Sequence, residues 1–72
     1  MVQKSIKLKK DEPFITLGIL LKITGLIDTG GQAKYFLGEN KVLVNGEEDN
    51  RRGRKLYHND VVEVLNQKFI ID

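Results

Sequence analysis

Arg51, Arg52, Arg54 and Lys55 place four cations within five positions, the densest run of positive charge in this 72-residue chain. A guanidinium is a planar fork of N–H donors that matches the oxygens of a phosphate, so arginines held by a turn suit bidentate anion contact. A turn is encoded just upstream. Asn45-Gly46 follows the apolar, partly β-branched run Val42-Leu43-Val44, and Asn-Gly between apolar residues signals a type I′ hairpin, whose two central residues need positive φ. Lys22, Lys34 and Lys41 are further candidates for the same basic surface. The acidic stretch Glu47-Glu48-Asp49 is expected at its rim, because carboxylates repel a polyanion. The chemistry suggested is the holding of phosphates, which positions a nucleic acid without reading its sequence.

Other chemistries fail on spacing. Asp28-Thr29-Gly30 matches the catalytic tripeptide of aspartic proteases, but that reaction needs two aspartates sharing a proton. The residues that follow have a helical period instead of continuing into β-structure. Gly25 and Gly30 imitate part of a phosphate-binding P-loop, yet Gly31 stands where its lysine must be. His58 is the sole histidine and cysteine is absent, which leaves no disulfide framework, thiolate site or multi-histidine metal site within one chain. No cofactor, small-molecule substrate or catalytic residue is expected.

The elements that must position the cations follow from periodicity. Ser5 to Leu8 alternates as a short edge strand, and Pro13 interrupts the chain. Thr16 is placed as the N-cap of a helix running to about Thr24, with Leu17, Leu20, Leu21 and Thr24 inward and Ile19 and Ile23 widening the apolar stripe. Gly25 and Leu26 fit a Schellman ending. Thr29 and Gln32 have capping-box spacing and open a second helix that buries Ala33, Phe36 and Leu37. It ends near Glu39, with Asn40 suited to a left-handed terminal conformation. Gly30 and Gly31 in its first turn would let a phosphate approach unpaired amides, or would only permit tight helix crossing. Tyr35 is read as completing the core edge, with base stacking as the alternative.

From Val42 the period becomes two. A hairpin, a strand near Leu56-Tyr57, a turn at His58-Asn59-Asp60 and a strand from Val61 to Leu65 follow, and Phe69 to Ile71 either extends the sheet or packs as a tail. One strand, two helices and several short strands make a single α+β domain. Net charge is only +2; Lys7, Lys9 and Lys10 either solvate one face or extend the basic surface. No apolar run approaches the length of a membrane span and no signal-peptide core is present, so a soluble cytoplasmic protein is expected.

The segments Thr29-Gly-Gly-Gln-Ala-Lys, Val42-Leu-Val-Asn-Gly-Glu and Asn50-Arg-Arg-Gly-Arg-Lys-Leu-Tyr, in this order, resemble the αL RNA-binding motif. This is the domain named after the fourth protein of the small ribosomal subunit, and the chain looks like its stand-alone bacterial YaaA/YbcJ type. The likeness covers about residues 15–64 of a domain taken to span 1–72. It implies two short helices on a small, mainly antiparallel sheet and non-catalytic binding of structured RNA, with ribosomal RNA or a ribosomal particle as partner. The expected contact set is Lys22, Thr29, Gly30, Gly31, Gln32, Lys34, Lys41, Asn45, Arg51, Arg52, Arg54 and Lys55. Gly30 and Gly31 occupy the place where the family usually has a basic residue. The alternatives are a protein-interaction module docking an acidic partner and a non-specific nucleic-acid binder, since backbone contacts alone discriminate poorly.

Overall fold

Thr16 changes the chain from strand to helix. Its backbone is extended (φ −91°, ψ 160°) and its Oγ1 accepts the Ile19 N–H at 3.3 Å, so it ends one element and caps the next. In the computed structural model, which describes residues 2–72 apart from the Val2 side chain, strand β1 is Val2–Ile6, β2 is Phe14–Thr16 and helix α1 is Leu17–Ile23. The Schellman ending forms as expected: Gly25 takes φ +82°, its N–H donates to the Lys22 carbonyl, and the Leu26 N–H donates to that of Leu21. Leu17, Leu20 and Leu21 are fully buried. Ile19 and Ile23 are not part of that stripe, being 47% and 58% exposed. At about 100° per residue they fall on the face opposite Leu17, Leu20 and Leu21.

A 3₁₀ turn, Gly30–Gln32, leads into α2, Ala33–Glu39. The Gln32 side chain does the capping expected of it, its Oε1 accepting the N–H groups of Asp28 at 2.6 Å and Thr29 at 3.2 Å. Ala33 and Leu37 are buried, with Phe36 packed against the core. Asn40 does not adopt the left-handed conformation. It is extended (φ −125°), and both its N–H and its Nδ2 donate to the Phe36 carbonyl, which satisfies the helix end without a left-handed residue.

The remaining strands are β3 (Leu43–Val44), β4 (Glu47–Glu48), β5 (Lys55–Tyr57), β6 (Val61–Val64) and β7 (Gln67–Ile71). They form a five-stranded sheet in the order β1-β7-β6-β3-β4, and β2 pairs separately with β5. All neighbours are antiparallel except β1 and β7. Thus β1 is an edge strand, shifted N-terminally from the Ser5–Leu8 expectation because Val2 to Ile6 is the segment in register with Gln67 to Ile71. Phe69 to Ile71 belongs to the sheet interior and not to a tail: Phe69 and Ile71 are fully buried, so the core extends beyond residue 64. Burial alternates along β6 and β7, and Val62, Val64, Phe69 and Ile71 line the face that meets the helices' leucines in one cluster.

Turn chemistry sets the hairpins. Asn45 (φ 53°) and Gly46 (φ 84°) form the type I′ turn between β3 and β4. Asn59 takes φ 75° in the turn between β5 and β6. The β6–β7 hairpin turns on Leu65 (φ 50°) and Asn66 (φ 61°), which is why β6 ends at Val64 instead of Leu65. Leu65 is an exposed leucine in a conformation that a branched side chain disfavours. Replacing Leu65-Asn66 by Asn-Gly should therefore raise folding stability by about 1 kcal/mol, measured as a higher urea midpoint at unchanged slope.

Candidate nucleic-acid interface

The basic loop is stitched to the start of α1. The first amides of a helix lack intrahelical acceptors, and here the Leu17 N–H donates to the Arg54 carbonyl at 2.8 Å and the Gly18 N–H to the Arg52 carbonyl at 2.9 Å. Gly18 makes that approach possible. A Cβ there would lie 3.3 Å from the Arg52 carbonyl oxygen and 3.8 Å from the Ala33 Cβ. Sequence reading missed Gly18 as a site residue; the available signal was a glycine one position inside a helix otherwise rich in leucine.

Asp49 fixes the loop from the other side. Its carboxylate accepts Arg51 Nε at 3.1 Å, Arg51 Nη2 at 2.8 Å, Arg54 Nη1 at 3.0 Å and the Arg51 backbone N–H at 2.9 Å. The Asp49 side chain is only 8% exposed. Asp49 is therefore not part of a repelling acidic rim, as its position beside Glu47 and Glu48 suggested: it is the internal counter-ion of two arginines. Hydrogen bonding from the Arg51 side chain, opposed by partial burial and aided by the Arg51 amide and by Arg54, holds its carboxyl well below the usual carboxylate range.

The four cations of the cluster thus have unlike surroundings. Arg51 and Arg54 are paired with Asp49. Lys55 reaches back over β2, its Nζ 5.1 Å from the centroid of the Phe14 ring, which also meets the Tyr57 ring at 5.6 Å. Arg52 is exposed and makes no salt bridge among the described residues.

Arg52 stands between two open clefts. One, of about 420 Å³, is lined by Thr16, Gly18, Ile19, Lys22, Gly30, Ala33, Arg52 and Gly53. The other, of about 470 Å³, is lined by Lys34, Leu37, Gly38, Asn50 and Arg52. The structure thus brings Lys22, Gly30, Lys34 and Arg52 together around α1, α2 and the loop. It separates others. Lys41 lines a recess with Leu43, Glu63, Leu65 and Asn66 that shares no residue with either cleft. Asn45 is committed to the fold: its Nδ2 donates to Asp60 Oδ1 at 3.0 Å and its Oδ1 accepts the Val61 N–H at 2.9 Å. Thr29 caps the 3₁₀ turn and Gln32 is its last residue, lining a further recess beside Tyr35. Gly31 lines neither of the two clefts that share Arg52. Tyr35 is 73% exposed and so lies outside the core edge where the sequence placed it.

Asp28 lies in an exposed bend before the 3₁₀ turn, its N–H donating to Gln32. A protease-like reading of Asp28-Thr29-Gly30 has no support in this setting.

The model of the S4 domain family matches residues 6–72, nearly the whole chain. A curated protein of Bacillus subtilis (strain 168), described as a probable ribosome maturation protein RlbA, is 61% identical over 54 residues, which cover 75% of this chain and 76% of that protein.

The Asp49 clamp has a measurable consequence for stability. A carboxyl whose folded pKa is depressed contributes stability that is present above its unfolded value, about 3.9 for aspartate, and is lost as pH falls through the folded value. Asp49→Ala should cost on the order of 1–2 kcal/mol at neutral pH by removing several charge-assisted hydrogen bonds. Its urea-derived stability should also fall less steeply than that of wild type below about pH 4.

Proposed function

The chain belongs to the S4 domain family, and we propose that it is a non-catalytic protein that binds structured, ribosome-related RNA through the surface formed by α1, α2 and the 50–54 loop. The observation that carries this reading is the placement of Arg52, free of any salt bridge among the described residues, between clefts that also present Lys22 and Lys34. Three cations of one sign around shallow, open clefts suit a phosphate backbone. The name of the Bacillus relative, a probable ribosome maturation protein, supports ribosomal RNA or a ribosomal particle as the partner.

The supply of aromatic side chains favours a structured target. Tyr57 packs on Phe14, and of the two exposed tyrosines only Tyr35 remains without a described ring partner. A single ring is a poor platform for successive unstacked bases. Cations on a loop hydrogen-bonded to a helix are instead suited to the fixed phosphate spacing of a folded RNA.

Binding to deproteinised bacterial ribosomal RNA should weaken steeply as salt rises. Arg52→Ala should reduce affinity about tenfold and lower the slope of log K against log salt by about one. Lys22→Ala and Lys34→Ala should act in the same direction. Filter binding across a salt series measures all of these. An unchanged slope for Arg52→Ala would remove that residue from the interface, and equal affinity for duplex DNA would point to non-specific nucleic-acid association.

A further inference from the structure

Two of the residues lining the cleft beside α1 are glycines for which the fold supplies no reason. Glycine is required where φ is positive or where a Cβ would collide. Gly25 and Gly46 meet the first condition, and Gly18 is crowded by Arg52. Gly30 and Gly53 meet neither: their φ values are not in the left-handed region, and a Cβ at either would have no atom of the described residues within 4 Å. The idea that Gly30 permits close helix crossing therefore fails. Glycine at such positions lowers stability by enlarging the conformational entropy of the unfolded chain. Both nonetheless line one cleft, which Lys22 and Arg52 line as well.

We propose that this cleft is the seat of one sugar–phosphate unit of the bound RNA, with its phosphate held between Arg52 and Lys22 and its ribose against the bare main chain of Gly30 and Gly53. The occupant is an RNA backbone segment and not an extruded base. The walls offer two cations and exposed peptide, whereas no aromatic side chain lines the cleft. Ile19, 47% exposed on the outer face of α1, closes one side with an apolar surface. This inference rests on the reading of the protein as an RNA binder and locates the closest approach of the RNA to its main chain.

The fold and the ligand demand opposite things of these glycines, and a test can separate them. In the full chain carrying Gly30→Ala and Gly53→Ala, the melting temperature should equal or exceed that of wild type, because the added methyl groups enter open space. Affinity for deproteinised bacterial ribosomal RNA should fall on the order of tenfold, because the same methyl groups fill the seat. A lowered melting temperature would show that the glycines serve the fold and would overturn the proposal. So would wild-type affinity in the double variant while Arg52→Ala remains weak, a result that leaves RNA binding itself intact. Absence of salt-sensitive binding by the wild-type protein would overturn the RNA reading and the seat together.

Discussion

The docking of the 49–54 loop onto the first turn of α1 is the constraint on which the functional surface depends. Two backbone carbonyls, those of Arg52 and Arg54, take up helix amides that would otherwise lack intramolecular partners. One carboxylate, Asp49, holds the side chains on either side of Arg52. A glycine-containing loop of cations would ordinarily sample many conformations, with the entropy of ordering it charged to any ligand. Here that ordering is achieved within the free protein. Arg52 then projects from a fixed backbone next to Lys22 on α1 and within reach of the cleft that Lys34 lines on α2.

This arrangement divides the work of a charge cluster that looks uniform in sequence. Arg51 and Arg54 neutralise Asp49 and give the loop its shape, Lys55 lies over the Phe14 ring, and Arg52, exposed and without a salt bridge among the described residues, is the cation that the proposed function assigns to the ligand. Glu47 and Glu48 form β4 at one edge of the sheet. Both stay exposed on that strand, while Asp49 turns inward as the counter-ion of Arg51 and Arg54. The hairpin at Asn45-Gly46 serves the site indirectly: Asn45 ties the turn to Asp60 and Val61, and the Asp49 N–H donates to the Val42 carbonyl at 3.0 Å, so the clamp begins from a fixed strand.

Most local structure was legible because it is written in short-range rules. The Thr16 cap, the Schellman ending at Gly25, the Gln32 cap and the type I′ turn at Asn45-Gly46 each follow from residues within a few positions. What escaped was set by distant partners. Phe14–Thr16 reads as a prelude to a helix, and becomes a strand because Lys55–Tyr57 lies beside it. Residues 2–6 pair in parallel with β7, a contact between the two ends of the chain. Within the site, the basic cluster was visible but the role of Asp49 was not, since three adjacent acidic residues give no sign of which one turns inward. Ile19 and Ile23 read as a widening of the apolar stripe, although their angular position on the helix places them outside it.

The central claim is that RNA meets α1, α2 and the 50–54 loop, and leaves the outer sheet edge free. Amide hydrogen exchange of the protein with and without bacterial ribosomal RNA tests it most directly. The account predicts new protection concentrated in residues 17–22, 30–34 and 50–54, with exchange in β1 and the Leu65-Asn66 turn unchanged. Protection confined to β1, or to the recess lined by Lys41 and Leu65, with none in the 50–54 loop, would contradict it.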